Sequence, residues 1–325
     1  MFSASLSNRK DARSGFILLS VLLLSVVLIS CATAFAWFAR MHIRSVLREK
    51  TSLENRTMAQ VMSRSIISGI RSIAFTDYDS PLLPWFEPFS IPMNDALWTA
   101  QVVPLDDKIP IRNIFLPDNS TIRGELRTCW DNMWDKMEVR GVSDIVLDFM
   151  DKDTRARREG AELETHIQRY PLDMSEFLIL EEITPEILYG SAGATVASES
   201  TAPGGFGRAN EPMLGLADYC TLWSGGKINM NVAPVHVMEI LPGMDNALAL
   251  KVAERREQEP LKDMSDLRDI SGFPPRTATI LMNLADFKSQ YFMIKFEMIE
   301  SGGGSFGYSV IFDKKTGLVV RWEEI

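Results

Sequence analysis

Three aspartates in one short segment, Asp148, Asp151 and Asp153, are the side chains whose type and spacing best suit metal binding. Their carboxylate oxygens are the hard ligands that calcium prefers. The segment is not an EF-hand loop, because it has neither the ligand spacing nor the turn glycine of that motif. A second interpretation needs no metal, since a solvated acidic helix end can pair with Arg155 or Arg157. The residues by themselves leave calcium and the ion pair as alternatives.

Side chains that could support catalysis are sparse. The three histidines, His42, His166 and His236, have no cysteine or second histidine at metal-binding spacing. The sequence contains no G-x-S-x-G, H-E-x-x-H or P-loop pattern. We therefore predict that the chain is not an enzyme and has no nucleotide site.

Two cysteines, Cys129 and Cys220, lie far from the apolar N-terminal region. An oxidising compartment would allow a disulfide between them. Their positions in the sequence do not place them side by side, so the bonded and the free state both stay open.

The third cysteine, Cys31, lies within an apolar segment and is interpreted as a small apolar residue. Leu28-Ile29-Ser30-Cys31 also matches a lipoprotein cleavage box, so a periplasmic lipoprotein anchored at Cys31 is one rival hypothesis. The residues from Ala32 to Ala39 stay apolar and a helical pattern follows at once, unlike the polar tether of a lipoprotein.

Leu241–Arg256 and Leu267–Thr279 each have the pattern of a helix-hairpin-helix unit. DNA-binding examples use a Gly-hydrophobic-Gly turn whose backbone N–H groups meet a phosphate. Here Asp245 follows Gly243-Met244, and Pro274 in the second turn has no N–H to donate. The net charge of −9 also makes the chain a poor match for nucleic acid. We predict that these units pack against protein, and a membrane-tethered DNA-binding protein for uptake is the other rival hypothesis.

The segment from Gly15 to Ala39 has no charged residue. As a helix, its 24 residues from Phe16 onward would be about 36 Å long, enough to cross the hydrocarbon core of a bilayer. Arg9, Lys10 and Arg13 precede it. We therefore expect the leader to stay in the cytoplasm and the bulk of the chain to lie outside the inner membrane. A secretory signal peptide would have a shorter apolar run before a small-residue cleavage site.

Beyond this segment the hydrophobic periodicity changes three times. Residues 40–76 have the spacing of an amphipathic helix. A proline-rich loop at Pro81–Pro92, with Trp85, Phe86 and Phe89 expected to be buried, leads to two strands. Helical segments then dominate, and strands return at the C-terminus. We predict an α+β fold whose sheet uses segments from both sides of a helical insert.

The predicted strands are 96–103, 108–114, 291–299, 305–312 and 318–322, with a turn at Asp106-Asp107 between the first two. The predicted helices of the insert are Thr121–Met137, Val142–Asp151, Met174–Glu181, Pro185–Tyr189, Pro234–Leu241, Asn246–Glu257, Asp263–Ile270 and Pro275–Leu284, with a Gly- and Ser-rich loop at Gly190–Pro212. The predicted boundaries are 1–15 for the leader, 16–39 for the membrane segment, 40–114 and 285–325 for the two parts of the sheet-bearing domain, and 115–284 for the insert.

Four features occur in a fixed order along the chain. A basic leader, Gly15-Phe16 and an unbroken apolar run resemble a type IV prepilin signal. Val146–Asp153 is similar to an aspartate-rich D-W-x-D-x-D segment, with Phe149 in place of Trp, and Gly160-Ala161-Glu162 follows. Ile228–Pro234 resembles I-N-V-N-T-A-P. In this order they resemble the minor pseudopilin K family of type II secretion systems, also called general secretion pathway protein K.

A departure from most pilins fits the same family. Most pilins have Glu as the fifth residue of the mature chain, where it is thought to pair with the N-terminus of a neighbouring subunit. Counting from Phe16, the fifth residue here is Ser20. In lacking Glu at this position the chain is similar to pseudopilin K, the subunit at the tip of the type II secretion pseudopilus.

The resemblance implies a type IV pilin-like fold, with a long N-terminal helix, an antiparallel sheet and an inserted α-helical domain that contains helix-hairpin-helix (SAM-like) units. It also implies that a prepilin peptidase cleaves between Gly15 and Phe16 and methylates the new N-terminus. The family's helical domain is associated with calcium, for which Asp148, Asp151 and Asp153 are the candidate ligands.

The implied role is at the tip of the type II secretion pseudopilus, in assembly, length control and protein export across the outer membrane. The implied partners are minor pseudopilins of the I and J types, the major pseudopilin, the prepilin peptidase and the inner-membrane secretion platform, with no nucleic acid. The implied location is the bacterial inner membrane, crossed once, with the bulk of the chain in the periplasm.

Overall fold

The computed structural model describes residues 7–73, 77–93, 96–160, 166–191, 213–300 and 305–325, with the backbone alone for residues 7–15, 73 and 300. Most of the predicted Gly190–Pro212 loop and the end of the Gly160-Ala161-Glu162 motif lie outside the described residues. The chain divides into two compact units, Met1–Met62 and Ser63–Ile325.

The first unit consists of most of α1 (Ser7–Ile73), which is one helix of 67 residues. Among the described residues, α1 is the helix that is long and apolar enough to cross a membrane, with a mean hydropathy of 2.7 in its most apolar window. The large apolar side chains between Phe16 and Phe38 are exposed, so a lipid phase or another chain must cover them. The helix predicted for residues 40–76 is confirmed as far as Ile73. Of its predicted apolar stripe, Ile43, Val46 and Leu47 are exposed, and Met62, Ile67 and Ile70 are buried.

The described part of the second unit contains eight more α-helices. They are α2 (Gly124–Lys136), α3 (Ser143–Met150), α4 (Pro185–Tyr189), α5 (Leu216–Tyr219), α6 (Val235–Glu239), α7 (Asn246–Gln258), α8 (Met264–Arg268) and α9 (Pro275–Leu281), with 3₁₀ turns at Pro84–Phe86, Ile111–Asn113 and Met174–Ile179.

Side-chain caps start three of these helices. Thr184 accepts a hydrogen bond from Ile187 N ahead of α4, whose first residue is proline. Asp245 accepts from Leu248 N at 2.8 Å and begins α7. Asp263 begins α8 in the same way. Each cap satisfies a backbone N–H that the helix itself leaves unpaired.

The strands are β1 (Phe89–Met93), β2 (Ala96–Pro104), β3 (Ile109–Pro110), β4 (Cys220–Thr221), β5 (Ile228–Asn229), β6 (Ala285–Asp286), β7 (Tyr291–Glu300), β8 (Ser305–Asp313) and β9 (Val319–Glu324). Five of them form one sheet in the order β1-β2-β7-β8-β9, with every neighbouring pair antiparallel. β3 with β4 and β5 with β6 form two short parallel pairs. The main sheet therefore uses segments from both sides of the helical insert, as predicted.

Two sequence predictions near the first strands were wrong. The strand predicted at 108–114 is extended only at Ile109–Pro110 and then turns into a 3₁₀ helix. Ile111 and Ile114 are both fully buried, and a spacing of three fits a 3₁₀ turn better than a strand with one buried face. The end of the predicted proline-rich loop is the edge strand β1, where Pro92 is tolerated. Its Phe89 is 38% exposed and not buried as expected.

One face of the main sheet is covered by aromatic and aliphatic side chains. Trp98 of β2 stacks on Tyr308 of β8 at 6.3 Å between ring centroids. Phe292 of β7 lies between Phe86 and Phe312, at 6.0 and 5.7 Å. These rings are all buried. Alternation along β2 and β7 thus buries one face of the sheet.

The insert leaves and rejoins the sheet at neighbouring strands, because Pro104 at the end of β2 pairs with Phe292 of β7. Asp106 holds this junction. Its buried carboxylate accepts hydrogen bonds from Gln290 N and Tyr291 N at 2.8 and 2.9 Å, and from Ser224 Oγ at 2.8 Å. Burial raises the pKa of Asp106, and these donors oppose the rise. One side chain therefore joins β7 to a loop of the insert.

Replacing Asp106 with Ala should lower the free energy of unfolding by about 3 kcal/mol or more, since several buried donors lose their acceptor. The measurement is denaturant unfolding of the full chain in detergent. Asp269→Ala is the matched control, because Asp269 is exposed, and it should change stability by less than about 0.5 kcal/mol. Equal stability of the two variants would contradict a structural role for Asp106.

Candidate functional site

The aspartate-rich segment begins at the end of α3. Asp148, in its last turn, and Asp151, just after it, have no exposed surface. The Arg157 guanidinium lies between them and donates from Nη1 to both carboxylates, and Nη2 donates to Ser120 O at 2.8 Å. Its carbon also lies 5.5 Å from the centre of the Phe115 ring. A single cation on this chain thus pairs with both buried acids.

The loop from Asp151 to Gly160 is shaped to bring Arg157 to this position. Arg157 N donates to Asp148 Oδ2 at 2.9 Å. A Cβ at Gly160 would lie 1.9 Å from Asp148 Oδ2, so a side chain there would displace the carboxylate. The glycine of the Gly160-Ala161-Glu162 motif therefore has a packing role that its sequence position did not reveal.

Asp153 has separate partners. Its carboxylate accepts a hydrogen bond from Ser120 Oγ, and from Arg155 N at 2.8 Å. The Ser120 hydroxyl, followed by the Arg155 N–H, holds the pKa of Asp153 below its usual value. The structure brings Asp148 and Asp151 together around one cation, and Asp153 is tied to Ser120 beside them.

The ion pair with Arg157 does not fully offset the effect of burial on the pKa of Asp151. Burial raises the pKa of Asp151 to about 6, although the hydrogen bond and charge of Arg157 lower it. Asp151 Oδ1 is buried and has no hydrogen-bond partner among the described residues. For Arg157, burial lowers the pKa, but the hydrogen bonds to Asp151 and Asp148 outweigh it and the pKa is raised. The arrangement favours a charged arginine between two acids.

These three aspartates, as arranged, do not fit a calcium ion. Arg157 fills the space between the two carboxylates that would have to share the cation. Within the described ranges, no group of three or more His, Cys, Asp or Glu side chains is placed to hold a metal. Of the two interpretations of this segment, the ion pair with Arg157 agrees with the geometry. Calcium binding elsewhere in this domain stays a prediction.

The two cysteines of the insert are both buried and free. Cys220 Sγ contacts Met133 Sδ at 3.5 Å, and Cys129 Sγ donates to Glu125 O at 3.4 Å. Burial raises the pKa of the Cys129 thiol to about 12 and keeps that of Cys220 high as well. The structure therefore has no disulfide between them, and the thiols act as small apolar groups.

The Ile228–Pro234 motif forms a second polar junction. Asn229 is fully buried, and its side chain donates to Asp79 O at 3.1 Å and to Ser289 Oγ at 2.9 Å. Asn231 exchanges hydrogen bonds with both Leu261 N and Leu261 O, at 2.8 and 2.7 Å. Asn229 joins the insert to Asp79 and to the segment before β7, and Asn231 joins two loops within the insert. The sequence marked this motif without revealing that its role is structural.

Each helix-hairpin-helix turn is exposed in part and is held by a hydrogen bond within the chain. Gly243 has a φ of 77°, and a Cβ there would lie 2.6 Å from Thr277 Oγ1, which donates to Gly243 O at 3.1 Å. Lys251 Nζ donates to Ser271 O at 3.0 Å, beside the second turn. The Thr277 hydroxyl and the Lys251 ammonium, both hydrogen-bond donors, are thereby engaged within the chain. The predicted packing role of the two units agrees with these contacts.

The predicted processing site lies within α1. Gly15 and Phe16 are consecutive helical residues, and Phe16 is exposed. Ser20 donates from Oγ to Phe16 O at 2.8 Å. The fifth residue after Gly15 is therefore uncharged. Its hydroxyl is also bonded within the helix, so it needs no partner from another chain.

Comparison with solved structures finds chains of similar architecture. The chain matches a chain of the GspK–GspI–GspJ complex from the type 2 secretion system of enterotoxigenic Escherichia coli, with a TM-score of 0.61 and 13% sequence identity. The match covers 87% of this chain and 99% of that chain. The chain has a GspK-like pseudopilin fold. No protein-family model matches the sequence, and no curated protein sequence does so either.

This chain combines a long N-terminal helix, an antiparallel sheet and a helical insert, and the match spans 87% of its length. At 13% identity the likeness describes the architecture and leaves side-chain chemistry to this chain's own residues. The fold class predicted from the sequence is confirmed.

Arg157→Ala should destabilise the second unit by about 3–5 kcal/mol, because it leaves two buried carboxylates without their cation. Arg155→Ala is the control, since Arg155 is exposed. Unfolding of the full chain in detergent, followed by tryptophan fluorescence, measures both. The same experiment with calcium and with a chelator tests the calcium prediction separately. An Arg157→Ala variant as stable as Arg155→Ala would contradict the ion-pair assignment.

Proposed function

We propose that this chain is a minor pseudopilin at the tip of the type II secretion pseudopilus, where it acts in assembly, length control and protein export across the outer membrane. The supporting observation is a single architecture: a membrane-length helix and a sheet interrupted by a helical insert, matched over 87% of the chain to a chain of the GspK–GspI–GspJ complex. The role is structural and not enzymatic. By analogy with that complex, the partners are minor pseudopilins of the I and J types.

The absence of charge in the apolar segment of α1 supports a position above the other subunits of the fibre. A carboxylate within the apolar segment would be costly in lipid. Most pilins have a glutamate at the fifth mature position, which is thought to offset this cost by pairing with the N-terminus of a neighbouring subunit. Ser20 has no charge, and its hydroxyl is already bonded to Phe16 O. A subunit with nothing above it does not need the glutamate.

The size of the insert supports the same position. Roughly residues 115 to 284 fold beside the sheet, an addition as large as a typical domain. The insert is held by buried polar contacts such as those of Asp106, so it is not free to swing aside. A second subunit stacked above would have to avoid this bulk.

The proposed location is the bacterial inner membrane, crossed once by α1, with the second unit in the periplasm. In this setting the prepilin peptidase cleaves after Gly15 and methylates Phe16, and the major pseudopilin and the inner-membrane platform are further partners. The lipoprotein alternative is less well supported, because Cys31 lies in the middle of the long helix α1. The DNA-uptake alternative is less well supported because each hairpin turn is held by a hydrogen bond within the chain.

Processing is tested by N-terminal sequencing of the mature protein, which should begin at Phe16. Gly15→Leu should leave uncleaved precursor in the membrane, because the peptidase is expected to accept only a very small side chain before the cut. Ser25→Ala, further along the same helix, should be cleaved normally. A mature chain that begins at Cys31 would exclude the prepilin interpretation and support the lipoprotein.

The tip role is tested by raising the level of this chain against the major subunit, which should shorten the fibres. Two variants separate the causes. The first replaces residues 107–289 with a two-residue Asn-Gly turn, because Pro104 and Phe292 are already neighbours. The second is Ser20→Glu. If bulk limits length, only the first variant should lose the effect; if the missing charge limits it, only the second should. Labelled protein along the whole shaft would refute the tip assignment.

A further inference from the structure

A row of arginines follows the membrane-length segment directly. Arg40, Arg44 and Arg48 are spaced by four residues along α1, and all three are exposed. At 3.6 residues per turn their Cα positions fall within an arc of about 80° on one side of the helix. They form a single basic stripe, which begins at the residue after Ala39.

This arginine stripe has no counter-charge within the described part of the chain. Between residues 40 and 56 the acidic residues are Glu49 and Glu54, and neither is three or four positions from an arginine of the stripe. Glu54 pairs with Lys50 at 3.7 Å. No ion pair joins Arg40, Arg44 or Arg48 to another described residue. Three exposed guanidinium groups are therefore available to an external anion.

The position of the stripe matches the head-group layer of a bilayer. If the hydrocarbon core ends near Ala39, the three Cα atoms lie about 1.5, 7.5 and 13.5 Å beyond it. The polar layer on each side of the core is about 5–8 Å thick. Helical side chains point toward the N-terminus of their helix, which here is toward the membrane. Arg48 can therefore reach back to the layer that Arg40 and Arg44 occupy.

We propose that Arg40, Arg44 and Arg48 bind the phosphate head groups of anionic phospholipids in the periplasmic leaflet, and so hold the subunit in the membrane before it enters a fibre. This proposal rests on the membrane location proposed above. The phosphate is the favoured anion because guanidinium groups bind it in a bidentate manner. The stripe also begins where the apolar segment ends, so lipid head groups are its first neighbours.

The basic residues on the two sides of the apolar segment show why the arginine stripe needs negative partners. The leader has Arg9, Lys10 and Arg13 on one side of the apolar segment, and the arginine stripe adds three positive charges on the other side. Basic residues next to a membrane helix usually favour the cytoplasmic side. Export of the arginine stripe depends on the long second unit that follows it in sequence, because long domains translocate largely regardless of charge. Head-group phosphates then supply the missing counter-charge.

The experiment is native mass spectrometry of the full chain in detergent, with phosphatidylglycerol and phosphatidylethanolamine added in equal amounts. The natural chain should retain phosphatidylglycerol preferentially. The triple variant Arg40→Gln, Arg44→Gln, Arg48→Gln should lose this preference by about 100-fold, since each arginine near an anionic surface contributes about fivefold. The control, Arg155→Gln, Arg268→Gln, Arg276→Gln, removes the same charge at exposed positions away from the helix and should behave as the natural chain.

Three results would overturn the proposal: no lipid preference in the natural chain, an unchanged preference in the triple variant, or an equal loss in the control. If the triple variant keeps its lipids but no longer co-purifies with other pseudopilins, the stripe binds an acidic protein surface instead. Alkaline extraction of membranes gives a separate readout. A natural chain that is released by alkali would refute the membrane location itself, whatever the variants do.

Discussion

The fold depends on pairing two strands of one sheet that a long insert separates in sequence. β2 and β7 are central neighbours in the sheet, yet the whole insert lies between them in sequence. The entropy cost of closing such a loop grows only slowly with its length, so the size of the insert matters less than how its two ends are fixed. Asp106 fixes them by accepting from Gln290 N and Tyr291 N on one side and Ser224 Oγ on the other. Asn229 adds a second connection to Asp79 O and Ser289 Oγ. The insert is therefore part of the same folded unit as the second half of the sheet.

Buried carboxylates recur where segments distant in sequence meet. Asp79 pairs with Lys314 at 2.7 Å and accepts from Ser289 N at 3.0 Å. Asp106 is satisfied by neutral donors, and Asp148 and Asp151 share Arg157. Each acid is costly to bury, and its partners recover that cost only when every segment is in its native position. An apolar contact would tolerate a shifted loop, whereas these contacts do not. We infer that the buried acids specify the connections between segments, while the apolar cores supply most of the stability.

The parts of the fold that the sequence predicted are those with a local cause. α4 and α7 are capped by Thr184 and Asp245, and their predicted starts agree with the structure. Burial alternates along β7, and the predicted bounds of β7 and β8 agree with the structure to within one residue. The wrong predictions have distant causes. Ile109–Pro110 pairs with β4, more than a hundred residues away, and this pairing decides where the strand ends. The role of Arg157 was predicted only as one of two alternatives, because its spacing from Asp148 and Asp151 does not show that the loop turns back. The roles of Asp106 and Gly160 had no signal in the sequence, since each depends on contacts that only the tertiary fold creates.

The first unit combines two chemical characters along one helix. From Phe16 to Phe38 its side chains are apolar and exposed, and the hydroxyl groups of Ser20, Ser25 and Thr33 donate to carbonyls of the same helix. These three hydroxyl groups would need no new partners if, in the proposed role, the segment left lipid for the apolar surface of other subunits. In the proposed role the arginines after Ala39 are different, because they would exchange an anionic membrane surface for the charges that neighbouring subunits present. The electrostatic cost of leaving the membrane is therefore concentrated in the few residues at its surface, and a neighbouring subunit that offers acidic groups at this height would lower it.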